Sequence, residues 1–198
     1  VLKKLFKESA AMKDKIAQQD ITTVLADVAS AVVGQFEMEA LLAQIIDTTM
    51  NALHAEVCSI FLEDKEKEPG VLKCVAGSGF AKHIVGISKY NIGEGFTGTV
   101  AKVGREFNIK SREELENLEV DGEKVWKGKF DSKQWPSGKS EFRNCLAVPL
   151  KIKDQILGVI KVENKDETMG KYFTDEDLII FKTIANVIAL TIENARLH

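Results

Sequence analysis

The sequence predicts an α+β fold in which helices cover one side of an antiparallel sheet. Three observations carry this. Helical periodicity opens the chain, short β-rich runs bounded by turn residues fill its middle, and one long helical pattern closes it. Strands joined mainly by hairpins pair antiparallel, so the helices are left with a face of that sheet to cover.

The elements follow in order. Residues 1–19 read as a helix, because Leu2, Leu5, Ser9, Met12 and Ile16 keep the heptad rhythm of a helix–helix seam. A helix this short needs a partner. Asp20 is placed to cap a second helix, with Val24, Val28 and Val32 on one face and an end near Gly34. A third helix spans residues 37–53, with Leu41, Leu42, Ile45, Ile46, Thr49 and Leu53 inward. Residues 57–62 and 71–76 read as two strands of a hairpin across the charged turn 65–70. Residues 78–86 read as a short helix or loop, 87–92 as a strand, 93–98 as a tight turn, and 97–103 as a helix stopped by Gly104. A short strand follows at 106–109.

Residues 111–141 are polar and long for a loop inside a compact domain, which predicts a lid or binding segment. Residues 144–152 and 155–163 form a hairpin across Lys153-Asp154, in which Pro149 demands an edge or a bulge. Thr174 opens the last helix, with Asp177 completing a variant of the capping box. Phe181, Ile184, Ile188, Ile192 and Ala195 share one face of it.

Composition narrows the function classes. The chain has 198 residues, 44% of them apolar, enough for a real core, and a net charge of −3 that gives no global basic field for nucleic acid. No apolar run reaches the ~18 residues of a membrane span, and the start, Val1-Leu-Lys-Lys-Leu-Phe-Lys, is not a signal peptide. A chain that begins with Val reads as a piece of a larger protein, with an output domain elsewhere. Cys58, Cys74 and Cys145 sit in apolar runs with no CxxC pair, which predicts buried cytosolic thiols rather than disulfides or zinc ligands. His54, His83 and His198 are too scattered for a metal cluster, and no cofactor is expected.

The lid interleaves Lys124, Lys127, Lys129, Lys133 and Lys139 with Trp126, Phe130 and Trp135. That pattern suits a nucleic-acid surface or a solvated lid whose aromatics pack over a pocket. The acids Glu113, Glu114, Glu116, Glu119, Asp121 and Glu123 just before it favour the lid.

Gly93-Glu-Gly95-Phe-Thr-Gly98 matches the GxGxxG pattern, with Glu113 and Glu114 about 20 residues on, as in a dinucleotide fingerprint. Its setting argues against one: the preceding run, residues 87–92, is polar and mid-chain, not a buried strand opening a βαβ unit. Two readings stay open. The glycines serve a turn with positive φ, or they open a helix whose free N–H groups face a ligand.

Residues 90–109, from Tyr-Asn-Ile-Gly-Glu-Gly-Phe-Thr-Gly to Glu-Phe-Asn-Ile, resemble the central signature of GAF domains. Arg143-Asn-Cys-Leu-Ala-Val-Pro-Leu150 with Ile156-Leu-Gly-Val-Ile-Lys-Val resembles the second signature, and the resemblance covers about residues 37–196. It implies a six-stranded antiparallel sheet with helices on one face and a pocket on the other, flanked by N- and C-terminal dimerisation helices. It divides the chain into linker helices at 1–36 and a sensory domain with a signalling helix at 37–198. It implies a non-catalytic cytoplasmic sensor, a homodimer that binds a small molecule and acts on an output domain of the same polypeptide, with no nucleic-acid partner and no membrane contact in this fragment.

Asn164-Lys165 with Phe173 and Asp177 resembles the NK…FxxxDE motif of cyclic-nucleotide-binding GAF domains, with Leu178 in place of the final Glu. In that branch the Lys and Asp tie the last strand to the terminal helix. The resemblance offers Ser59, Val75, Ala76, Phe96, Thr97, Phe142 and Lys161 as pocket candidates, with Trp135 from the lid. Ser59 keeps the branch's serine and Thr97 still offers a backbone N–H. Val75 and Ala76 replace a stacking aromatic and an acid, Phe142 a threonine, and Lys161 a glutamate. Those departures weaken cyclic-nucleotide binding and leave room for another, anionic ligand near Lys161. A dimerisation module whose pocket is vestigial is the second reading. The third is a free methionine-(R)-sulfoxide reductase, whose turn and lid cysteines are missing here, with Phe96 at the turn. A haem ligand at His83 is a further reading within the family.

Overall fold

The computed structural model describes Thr23, residues 38–126 and residues 141–196. The heptad helix, most of the second helix and Trp135 lie outside the described residues.

Helix α1 (Met38–Leu53) buries every residue of the predicted inward stripe. Each apolar side chain so buried contributes roughly 1.5–3 kcal/mol. It leads into β1 (Ala55–Glu63) and β2 (Val71–Ser78), the expected hairpin. A 3₁₀ helix at Gly79–Ile84 precedes a short β3 (Lys89–Asn91). Then come α2 (Gly95–Val103), β4 (Phe107–Ile109) and α3 (Arg112–Glu116), whose N-terminus Ser111 caps by accepting the Glu114 N–H. A two-stranded hairpin of β5 (Glu119–Val120) and β6 (Glu123–Lys124) occupies the start of the predicted lid. The long hairpin of β7 (Cys145–Ile152) and β8 (Gln155–Lys165) leads to α4 (Asp175–Arg196).

The main sheet has six strands in the order β3-β2-β1-β8-β7-β4, all antiparallel. Period-2 alternation gives it two differently furnished faces. Cys58, Ile60, Leu62, Leu146, Val148 and Val162 pack with α1 and α4 into the main core. Phe61, Leu72, Cys74, Cys145, Ala147 and Val159 point the other way and join α2, β4 and α3 in a second core. The α4 stretch Asp175–Ala195 is long and apolar enough to cross a membrane by composition alone. Its apolar side is the one packed on the sheet: Phe181, Ile184, Ile188 and Ile192 are buried, while the predicted Ala195 is exposed.

Two irregularities position the site. Opposite the adjacent β1 residues Ile60 and Phe61 stand Ala76 and Cys74, so Val75 is a bulged residue and the strand's facing reverses there. Leu72 and Cys74 face the second core, but Ala76 belongs to the main core on the helix side. Pro149 needs no neighbour on one side, because β4's pairing with β7 ends at Ala147, and a register shift follows at Leu150/Lys151.

Candidate functional site

On the face opposite α1 and α4, a cavity of about 330 Å³ lies between the sheet, the first turn of α2 and the segments flanking the lid. Strand alternation supplies its floor: Val57 and Ser59 from β1, Lys161 and Glu163 from β8, and Cys145 from β7. Phe80, Ala81 and Ile84 close one side, and Tyr90, Phe96, Thr97, Leu115, Trp126 and Phe142 much of the rest. A larger and more open hollow of about 720 Å³ lies across the glycine turn, between the outer side of α2 and the β5–β6 hairpin. The smaller one holds the buried charges.

The glycine turn forms one wall through its backbone. Gly93 and Gly95 have φ of 91° and 59°, the left-handed region that glycine enters without strain. Gly98 is needed for closeness, since a Cβ there would lie 2.2 Å from the Asn91 carbonyl oxygen. The Gly93 N–H donates to Gly98 O at 2.8 Å and closes the loop. Helix α2 therefore begins at Gly95, earlier than the 97–103 read from sequence. Its first N–H groups, from Gly95 to Thr97, have no acceptor within the helix. Glu94, at the N-cap, does not cap them; its carboxylate accepts the Asn91 N–H at 3.0 Å and the Asn91 side-chain amide at 2.7 Å. The glycines thus make a turn with positive φ, and that turn opens a helix.

Lys161 and Glu163 are the charged centre. Their side chains are 13% and 11% exposed and Nζ donates to Oε1 at 3.0 Å. The Lys161 Nζ also lies 5.4 Å from the Phe61 ring centroid. Burial acts to lower the Lys161 pKa, but the Glu163 charge, helped by Tyr90 and Cys145, outweighs it and holds the ammonium above lysine's ordinary range.

The thiols are the reverse case. Burial pushes Cys74 up to about 11 against the downward pull of the Lys161 charge. Burial and then the Glu163 charge raise Cys145, and the same two causes raise Cys58. All three are free and buried, and thiolate chemistry needs an accessible, acidified sulfur. Among the described residues no group of His, Cys, Asp and Glu could hold a metal ion.

Immediately beyond Glu163 the same strand enters a polar junction. Asn164 stands at φ 58°. Its Oδ1 accepts the Arg143 N–H at 2.8 Å, and its amide donates to Glu141 O at 3.1 Å and to the Glu56 carboxylate at 3.3 Å. The Lys165 N–H donates to Asn144 Oδ1 at 2.9 Å, and Arg143 reaches Lys165 O at 3.2 Å. Lys165 Nζ donates to Asp177 Oδ2, which also accepts the Thr174 N–H at 2.8 Å; the Thr174 hydroxyl takes the Asp177 N–H at 3.2 Å. Phe173 is fully buried beneath, its ring 5.5 Å from Lys165 Nζ. The capping box and the strand–helix tie share one carboxylate.

Of the sequence candidates, Ser59, Phe96, Thr97, Phe142 and Lys161 line the cavity, and Asn164, Lys165, Phe173 and Asp177 meet in the junction. Val75 and Ala76 do not line it: the β2 bulge turns Ala76 into the main core, and the strand runs on to Ser78. Trp135 lies outside the described residues. His83 is exposed on the 3₁₀ helix and is not among the lining residues. Glu163, Tyr90 and the Arg143–Asn144 pair were not picked out as site residues, although Lys161 and Glu163 stand two apart directly after the apolar run Ile156–Ile160.

Solved structures share this fold at low identity. The GAF domain of a phosphoenolpyruvate-protein phosphotransferase from Coxiella burnetii superposes with a TM-score of 0.70 at 20% identity, covering 90% of this chain and 96% of that one. The nlh2 GAF domain of A. aeolicus gives 0.63 at 16%, covering 90% and 99%. A free methionine-R-sulfoxide reductase from Neisseria meningitidis, solved with its substrate, gives 0.61 at 16%, covering 89% and 90%. The fold alone thus does not separate regulatory domains from enzymes. No curated protein sequence matches the chain. The model of the GAF domain family matches residues 37–192, most of the chain, and the chain belongs to that family.

Proposed function

We propose that this chain is a non-catalytic sensory input module, cytoplasmic and dimeric, that binds a small molecule in the 330 Å³ cavity and acts on an output domain of a longer polypeptide. One observation carries the reading. Strand β8 places Lys161 and Glu163 in the cavity floor and Asn164 and Lys165 in the junction that holds the first turn of α4. A ligand that pulls on the floor therefore acts within a few residues of the first turn of α4. Arg143 and Asn144 tie the return of the lid to the same junction. Such coupling operates only if the ligand binds two states of the junction differently.

Buried thiols support the non-catalytic reading against reductase chemistry, and the replacements at Val75, Ala76, Phe142 and Lys161 favour a ligand other than a cyclic nucleotide. Dimerisation rests on the heptad pattern of residues 1–19 and on Ile179 and Leu190, exposed at 65% and 55% on the outer side of α4.

The test combines ligand screening with hydrogen exchange. Thermal shift against small metabolites and cyclic nucleotides identifies a binder, and exchange is then followed at α4. The expected result is ligand-dependent protection of the first turn of α4, lost in Lys165→Met while binding persists. Binding with no change in α4 exchange in the parent protein would refute the transmission. Light scattering that finds a monomer at high concentration would refute the dimer.

A further inference from the structure

We propose that the cavity takes a small zwitterion, a free α-amino acid with an apolar side chain, its carboxylate on Lys161 and its ammonium on Glu163. This rests on the reading of the cavity as the ligand site and names the chemistry that site selects.

The pair sits on β8, the strand flanked by β1 and β7. Across the ladder, Lys161 stands between Ser59 and Ala147, and Glu163 between Val57 and Cys145. These neighbours are small or apolar, so the unspent hydrogen-bonding capacity of the pair opens upward into the cavity. An ammonium has three donors and a carboxylate two acceptor oxygens. Among the described residues, Glu163 Oε1 is the acceptor recorded for Lys161, and Lys161 the donor recorded for the Glu163 side chain. Buried charges left with unmade hydrogen bonds are costly, and a ligand with one acidic and one ammonium group supplies both sets.

Charge selects further. Of the charged lining residues, Lys89 is bridged to Glu68 and Glu94 accepts from Asn91, so Lys161 and Glu163 are the charges that face a ligand. A simple anion meets Lys161 but is opposed by Glu163 beside it, and a simple cation meets the converse. A dipolar ligand suits both at once. Val57, Ile84, Phe96, Trp126 and Phe142 make most of the remaining wall apolar, beside the neutral Ser59, Tyr90 and Thr97, which fits an apolar side chain rather than a second charge. The volume, about 330 Å³, lies at the small end of ligand cavities, which run from roughly 300 to 1,000 Å³.

The test uses the parent chain, so it does not depend on a variant folding. Thermal shift and calorimetry are run with L-leucine, L-methionine and L-phenylalanine, their N-acetyl and methyl-ester derivatives, the matching alkylamines and carboxylic acids, and cyclic AMP and cyclic GMP. The expected result is binding of at least one amino acid, with both of its blocked derivatives weaker by ~10- to 100-fold, the loss of one charge-assisted hydrogen bond. Glu163→Gln should weaken the amino acid while leaving its methyl ester no tighter. Binding by acids alone, amines alone or cyclic nucleotides alone overturns the zwitterion assignment and leaves the ligand site standing. No binding by any probe overturns both.

Discussion

The Lys161–Glu163 pair makes a quantitative prediction about stability. With side chains 13% and 11% exposed and 3.0 Å apart, each charge depends on the other. Removing one partner leaves the other buried without compensation, at a cost of about 3 kcal/mol, the low end for broken buried pairs because the cavity admits water. Lys161→Met and Glu163→Leu should therefore each lower stability by about that amount. The double variant loses the mutual attraction but also both desolvation penalties, so it should return to within ~1 kcal/mol of the parent. Urea unfolding with an unchanged m-value measures all four corners of the cycle. Single losses that simply add in the double variant, to about 6 kcal/mol, would refute the reasoning, because additivity means the charges are independently solvated. The expected recovery would also show that the pair is retained for something other than stability.

Other expectations follow from the same geometry. Gly98→Ala should prevent or severely weaken folding, since its Cβ would lie 2.2 Å from Asn91 O, whereas Gly95→Ala, with open space around it at φ 59°, should cost only ~1–2 kcal/mol by thermal or urea melts. Asp177→Asn should cost ~2 kcal/mol and raise hydrogen exchange in the first turn of α4, because one carboxylate serves both Lys165 and the Thr174 N–H. The three thiols should resist alkylation near pH ~8 until denaturant is added, since burial suppresses their thiolates. Cys74, raised from 9.0 to about 11 in the folded chain, holds its proton more tightly there than when unfolded. The stability this gives is whole below about pH 9 and is lost as pH rises through about 11, so the urea midpoint should fall across that window.

The architecture was legible because each element repeats its own period many times. The stripe from Leu41 to Leu53 and that from Phe181 to Ile192 fix two helices, and the 144–163 hairpin fixes the centre of the sheet. What failed to show was parity. A single bulged residue, Val75, sends Ala76 to the helix side, and nothing in Val-Leu-Lys-Cys-Val-Ala announces it. Glu163 was hidden for another reason. Weighed against a family position, Lys161 is a replaced glutamate and reads as a loss. Weighed against its own strand, it is one of two charged residues two apart on a face otherwise made of Val57, Ser59, Cys145, Ala147 and Val159. A charge on such a face is tolerable only with a partner, and the partner must come from i±2, from a neighbouring strand or from a ligand. Here it comes from i+2 and leaves capacity to spare. The residue that the family resemblance reads as a lost contact is the one that sets a buried ion pair in the cavity floor, and the zwitterion proposal rests on that pair.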